Sequence, residues 1–315
     1  RKGFFLKLRS SQKCLQRLGP LLKLPSLQRQ DSFRLILPTM NNFAVRTISS
    51  VVFGAVMVAG LLFSGIFYGA LFLLVMLMAM REFYNMALGS QYALGQRLAM
   101  FSAAIFLATT VIFCQGNLEA KWILLGILPL MLMPVIYVFM KQRPEFGRVA
   151  YIYAGLLYIA MPICLSPFLV FNGGEFNGFL LLSIFIVIWL CDVGAYCVGT
   201  ALGQKPDSKK LAPSISPKKS WWGFWGGVFF GTLAGLVLHF VGWMPFSLIH
   251  CIALGALISV CGVCGDLFES LWKRWFGVKD SGNCIPGHGG MLDRFDSSLM
   301  AIPVALVYLV IAGLI

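Results

Sequence analysis

The chain has 315 residues, 59% of them hydrophobic and only 12% charged, with a mean hydropathy of +0.83. A soluble domain carries about 25% charged residues, so this composition excludes one, and the length leaves room for about nine segments of the roughly 20 apolar residues that cross a bilayer. The net charge of +13 does not point to nucleic acid: nine of the 25 Lys/Arg and one of the 12 Asp/Glu fall in the first 40 residues, and the other basic residues lie in loops between apolar stretches, where anionic lipid or nucleotide explains them better.

Residues 1–39 are basic, nearly free of acid and without a long apolar core, so they resemble neither a complete secretory signal nor a spanning helix. They read as a dispensable or mis-translated tail, with Met40 as a natural start. An organelle transit peptide and a basic amphipathic surface segment are the alternatives. Residues 40–315 then form one membrane domain. From Thr47 on, apolar stretches alternate with short polar loops, which predicts spans at 47–63, 66–86, 98–114, 122–140, 149–171, 179–203, 221–242, 246–265 and 298–315. The expected fold is therefore all-α, a polytopic integral membrane protein of about nine transmembrane helices. With the amino end cytoplasmic, the loops at 87–97, 141–148, 204–220 and 266–297 share one side. With the adjoining helix ends and Arg46 they hold fifteen of the sixteen Lys/Arg beyond residue 40, as the positive-inside rule requires.

The first five spans show no evident chemistry, and Arg81-Glu82 at a span end reads as an interfacial anchor. Seven of the nine cysteines fall in apolar segments and behave as small hydrophobes; Cys261-Gly-Val-Cys264 has redox spacing but lies in a span. Asp192 is different. A carboxylate inside an apolar helix costs several kcal/mol unless it faces a cavity, a partner or a metal. The loop after it holds five lysines, two prolines flanking serines, and one acid, and reads as a flexible cationic segment suited to a triphosphate. Lys205, Lys209 and Lys210 within it read as membrane-surface charges, and Trp221, Trp222 and Trp225 as an interfacial aromatic belt. His239 and His250 read as polar tips at outer helix ends.

Charge gathers in one stretch, Gly265 to Ser297, which holds five acidic residues (Asp266, Glu269, Asp280, Asp293, Asp296), four basic ones (Lys273, Arg274, Lys279, Arg294) and His288. Carboxylates along a polar segment can hold a hard divalent ion, and Lys or Arg beside them can neutralise the phosphate oxygens that the ion leaves uncovered. The glycines around His288 let the backbone approach a polyanion closely. These residues point to metal-dependent transfer among phosphates at the cytoplasmic face.

Ser270-x-x-Lys273-Arg274-x4-Lys279-Asp280-Ser281-Gly282, followed by Pro286-x-His288-Gly289-Gly290-x-x-Asp293-Arg294-x-Asp296, resembles the motif of the phosphatidate cytidylyltransferases, or CDP-diacylglycerol synthases. Asp192-x-Gly194-Ala195-Tyr196 and Ser216-Pro217-Lys218-Lys219 before a Trp are similar to two further family elements. The chain departs at Trp272, usually aliphatic, and at Trp222, where the family usually has an acid. The resemblance implies an enzyme that condenses CTP with phosphatidate to CDP-diacylglycerol and pyrophosphate in phospholipid biosynthesis, with Mg²⁺ as cofactor. Asp192, Asp266, Lys273, Arg274, Asp293 and Arg294 are the implied catalytic residues. Ser214, Ser216, Lys218, Lys219, Lys279, Asp280, His288, Gly289 and Gly290 are implied in substrate binding. The implied metal ligands are Asp192, Asp266, Asp293 and Asp296, within catalytic segments 189–223 and 265–297. A bacterial inner membrane with the active site on the cytoplasmic side, contact with membrane lipid, no nucleic acid and a possible homodimer complete the expectation. A CTP-dependent lipid-alcohol kinase of the dolichol or phytol type is the alternative, and a transporter the non-enzyme one.

Overall fold

The computed structural model describes residues 42–139, 145–205, 208–284 and 289–315. The expected tail at 1–39 and His288 lie outside the described residues. The protein is all-α, with two minor ribbons among the described residues. Among the described residues eight helical segments are long and apolar enough to cross a membrane, and a shorter apolar stretch, Thr47–Leu62, stands where the first of the nine expected spans was placed.

In chain order the helices are α1 (Asn42–Leu62), α2 (Gly65–Ala87), α3 (Ala93–Cys114), α4 (Ile127–Phe139), α5 (Phe146–Gly155), α6 (Met161–Leu165), α7 (Phe179–Ala201), α8 (Trp221–Val241), α9 (Leu248–Trp275) and α10 (Leu292–Ile311). A π turn at Leu156–Ala160 joins α5 to α6, so the two make one span, Gly147–Leu169. A short ribbon β1 (Phe171–Asn172)/β2 (Glu175–Phe176) precedes α7, and a second, β3 (Lys210–Ala212)/β4 (Ser216–Ser220), precedes α8. Outward faces carry Phe63, Ile66, Phe139, Phe240 and Ile311, each 76–81% exposed. On helices of this length and hydropathy, large apolar side chains so exposed suit contact with hydrocarbon.

Two packing devices position the polar residues. Helices α7, α8 and α9 approach closely through glycine: a Cβ at Gly223 would come 3.0 Å from the Ala195 carbonyl oxygen, and one at Gly235 would come 2.5 Å from that of Cys251. Ser220 Oγ accepts from the Gly223 N–H at 3.2 Å and caps α8, so the ribbon enters that helix at a set angle. The second device is the Phe295 ring of α10, which meets Phe53 of α1, Phe72 of α2 and Phe185 of α7 edge-on at 6.1, 6.4 and 5.8 Å. Phe295 lies two residues past Asp293 and one before Asp296, so the same turn that fills the core sets the direction of both carboxylates.

Two expectations need correction. Half of the expected polar loop 266–297 is helix: α9 runs ten residues past 265, to Trp275, and α10 starts at Leu292 instead of 298. Hydropathy falls at Asp266, but helix propensity does not. Asp266-Ser270 and Glu269-Lys273 are i,i+4 pairs that support continued helix. The expected flexible loop 204–220 contains the β3/β4 ribbon, paired Lys210 to Ser220 and Ala212 to Ser216 with an irregularity between.

Candidate active site

Asp192 sits nine residues before the end of α7 and lines three adjoining chambers of about 310, 550 and 450 Å³. The central one, of 310 Å³, is lined by five carboxylates (Asp192, Asp266, Asp280, Asp293, Asp296) against two cations, Lys273 and Arg294. The 550 Å³ chamber lies between α7, α8 and the ribbon, with Tyr196, Thr200, Lys218, Lys219 and Phe224 among its walls and Asp192 and Asp266 at its junction with the first. The 450 Å³ chamber opens towards α1, past Ser49, Phe53 and Trp189. An acidic junction thus connects a chamber with cationic walls to one with aromatic walls.

The extension of α9 explains how charges from distant stretches meet. Asp266, Glu269 and Lys273 follow at three and four residues, which puts them on one helix face. Lys219 reaches Asp266 from β4 as an ion pair. Lys273 Nζ lies 2.5 Å from Glu269 Oε2 and donates to Asp293 Oδ1 at 2.7 Å, tying α9 to α10. Asp293 accepts further from the Ser281 N–H at 3.0 Å and the Gly290 N–H at 2.8 Å. Gly289 adopts φ +80°, and a Cβ there would come 2.6 Å from Asp293 Oδ2, so a side chain is excluded both by conformation and by space.

Glu82 is the residue that sequence reasoning missed. It stands near the end of α2, where an interfacial anchor was expected, yet it is buried while its neighbour Arg81 is exposed. Its carboxylate accepts from Met291 N–H and Leu292 N–H, both at 2.9 Å, and from Ser281 Oγ–H at 3.0 Å. The available signal was an acid four residues inside the apolar run expected at 66–86, which should have excluded it. Trp272, the departure from the usual aliphatic residue, stacks on Phe83 with ring centroids 4.5 Å apart and joins this end of α2 to α9.

The remaining expected residues divide. Lys218 and Lys219 line the 550 Å³ chamber, and Asp280, Arg294 and Asp296 the central one. Arg274 does not line any of the three chambers: its guanidinium donates to the carbonyls of Ile215 at 3.4 Å and Val278 at 3.3 Å. Lys279 is exposed, and neither it nor Ser214 or Ser216 in the ribbon lines a chamber. Trp222 is exposed on α8, and the carboxylates of the adjoining chamber are Asp192 and Asp266. Burial first, and then the Glu82 carboxylate, pushes the Cys284 thiol up to about 11, so it stays protonated at neutral pH.

Among the described residues no three acidic, His or Cys side chains gather into a ready ligand cage. The donor set still suits a small hard cation, because Mg²⁺ keeps several waters and is usually bound through one or two carboxylates plus substrate phosphates. Asp192 and Asp296 face the central chamber without an ion-pair partner among the described residues, whereas Asp266 and Asp293 are each joined to a lysine.

The sequence matches the cytidylyltransferase family over residues 44–312. A phosphatidate cytidylyltransferase of Bacillus subtilis is 39% identical over 167 residues, which is 53% of this chain and 60%, less than two thirds, of that protein. One of Rickettsia bellii is 38% identical over 167 residues, covering 50% of this chain and 68% of that protein. One of Staphylococcus epidermidis is 30% identical over 272 residues, covering 84% of this chain and 98% of that protein.

Proposed function

The chain belongs to the cytidylyltransferase family, and from that premise we propose that it is an integral-membrane phosphatidate cytidylyltransferase, joining CTP to phosphatidate with release of pyrophosphate. The observation that carries the reading is the junction at Asp192, where a lysine-walled chamber and an aromatic-walled chamber meet over five carboxylates. Two polyanions cannot meet over excess negative charge unaided. A bound divalent cation would supply that neutralisation, and Asp192 and Asp296 would hold it first, with Asp266 and Asp293 beside them.

In this reading Lys218 and Lys219 hold the triphosphate from the ribbon side. Arg294 faces the same junction and takes up remaining phosphate charge. A phosphatidate phosphate oxygen attacks the α-phosphorus of CTP in line. The new P–O bond forms as the bond to the β-phosphate oxygen breaks, and pyrophosphate departs with the bonding pair. The attacking oxygen is already anionic, so positioning matters more than proton removal. Lys273, held between Glu269 and Asp293, fixes α9 and α10 and has little freedom to follow a phosphate. The basic loops and the site lie on the cytoplasmic side of a bacterial inner membrane in this proposal.

Membranes containing the protein, incubated with labelled CTP and phosphatidate, are expected to yield CDP-diacylglycerol and pyrophosphate only when Mg²⁺ is present. Release of CDP with a phosphorylated lipid alcohol would instead establish the kinase chemistry.

A further inference from the structure

Glu82 has no part in the transfer as derived above. We infer that it is a positioning residue for that transfer, holding Ser281 and the start of α10 and through them the Asp293 carboxylate. The inference rests on the proposed reaction for its kinetic consequence.

A buried carboxylate is costly unless its oxygens are saturated with donors. Glu82 meets that need with no basic side chain in its hydrogen bonds: Oε1 takes the Met291 N–H, and Oε2 takes the Leu292 N–H and the Ser281 hydroxyl. Two of these donors are the amides of Met291, the residue that caps α10, and of Leu292, its first residue, where the helix dipole also favours a negative charge. These contacts span 199 to 210 residues of sequence.

The donors to Glu82 are not independent of Asp293. Ser281 gives its hydroxyl to Glu82 and its N–H to Asp293. Gly290 gives its N–H to Asp293, and its neighbour Met291 gives its own to Glu82. No room is left for a different arrangement. A Cβ on Gly282 would come 2.6 Å from Glu82 Oε1, and a Cβ on Gly290 would collide with Glu82 Oε2 and Ser281 Oγ. The stack of Phe83 on Trp272 keeps the end of α2 from following a displaced turn. Two carboxylates therefore hold the same residues, Ser281 and the Gly290-Met291 pair, one buried and one lining the central chamber.

Glu82→Gln keeps shape and volume but replaces one acceptor oxygen with a donor, so at least one of the three hydrogen bonds fails. In purified full-length protein, kcat is expected to fall about 30- to 100-fold while KM for CTP and for phosphatidate stays within about threefold, as misplacement of a reacting-site group predicts. Deuterium uptake is expected to rise in peptides covering 278–284 and 289–296 and nowhere else. A kcat within about threefold of wild type, a change confined to KM, or uptake that rises evenly along the chain would overturn the inference. If Glu82→Gln does not fold, Ser281→Ala decides, with an expected loss of about three- to tenfold in kcat that Ser281→Thr restores; wild-type turnover by Ser281→Ala would sink the inference. Failure of the wild-type protein to make CDP-diacylglycerol would overturn the proposed reaction instead, and the exchange pattern would still decide whether Glu82 holds the turn.

Discussion

Two lysine–aspartate pairs face the same site and differ in how they are held. Lys219 and Asp266 are each 29% exposed at the boundary between two chambers, and Lys219 stands on a two-stranded ribbon. Lys273 and Asp293 are 11% and 7% exposed, and Glu269, 1% exposed, shares the same lysine. An open pair can exchange a carboxylate for a phosphate oxygen with little penalty, because water already screens it. A closed triad cannot, since releasing one partner strands buried charge. Two different family elements contribute Lys219 and Lys273, and the first is equipped to handle substrate while the second holds two helices together.

Asp293→Asn should have the largest effect. The amide keeps the side-chain volume but presents a donor where Lys273, Ser281 and Gly290 all donate. Turnover is expected to fall by more than about 100-fold with wild-type amounts of protein in the membrane. Wild-type-like turnover would remove Asp293 from the site and with it the importance of the closed triad. Lys273→Met comes next and sharpens the contrast, because it leaves Glu269 and Asp293 facing each other without a counter-charge. A loss of about 3–5 kcal/mol is expected, visible as a fall on the order of 10 °C in the thermal midpoint in detergent. An unchanged midpoint would mean that this triad is as loosely held as the other pair.

Lys219→Ala is the counterpart on the open side. The midpoint should move by less than about 1 kcal/mol equivalent, since Asp266 remains partly hydrated. The expected cost is in catalysis: about 10- to 100-fold in kcat/KM, as for loss of one charged donor to a transferring phosphoryl group. If Lys219→Ala instead lowers stability and leaves kcat/KM intact, the roles of the two lysines are reversed.

The parts of this architecture that could be read in the sequence are those with a local signal. Span positions follow from runs of apolar residues, and the chemistry of 265–297 from charge density in an otherwise apolar chain. What escaped depends on distance or on competing signals. Hydropathy stops at Asp266 although the helix continues, so Asp266, Glu269 and Lys273 looked like loop residues. Arg274 sits beside Lys273 in the motif, but adjacent residues on a helix point about 100° apart, and Arg274 turns to the carbonyls of Ile215 and Val278. Glu82 carried no sign of its partners, which lie about two hundred residues away. Gly289 and Gly290, which read as permissive, are in fact confined by the Asp293 and Glu82 carboxylates.

The smallest effect is expected at Lys209, and it tests how far the open side extends. Lys209 is exposed, and its backbone carbonyl accepts from the Trp221 N–H at 3.2 Å, a bond that alanine preserves. Its neighbour Lys210 is held back, donating to the Gly203 carbonyl at 2.9 Å and to Gln204 Oε1 at 3.2 Å. Only Lys218 and Lys219, on the other strand of the ribbon, reach the chamber wall. The turn between β3 and β4 therefore sets Lys209 and Lys210 apart from Lys218 and Lys219, the same division that the sequence reading makes. Lys209→Ala should keep kcat/KM for CTP within about threefold, the effect of one solvated charge acting through screened water. A collapse of activity would mean that the triphosphate lies across both strands, and the contrast between an open pair and a closed one would then describe only the inner edge of a larger cationic surface.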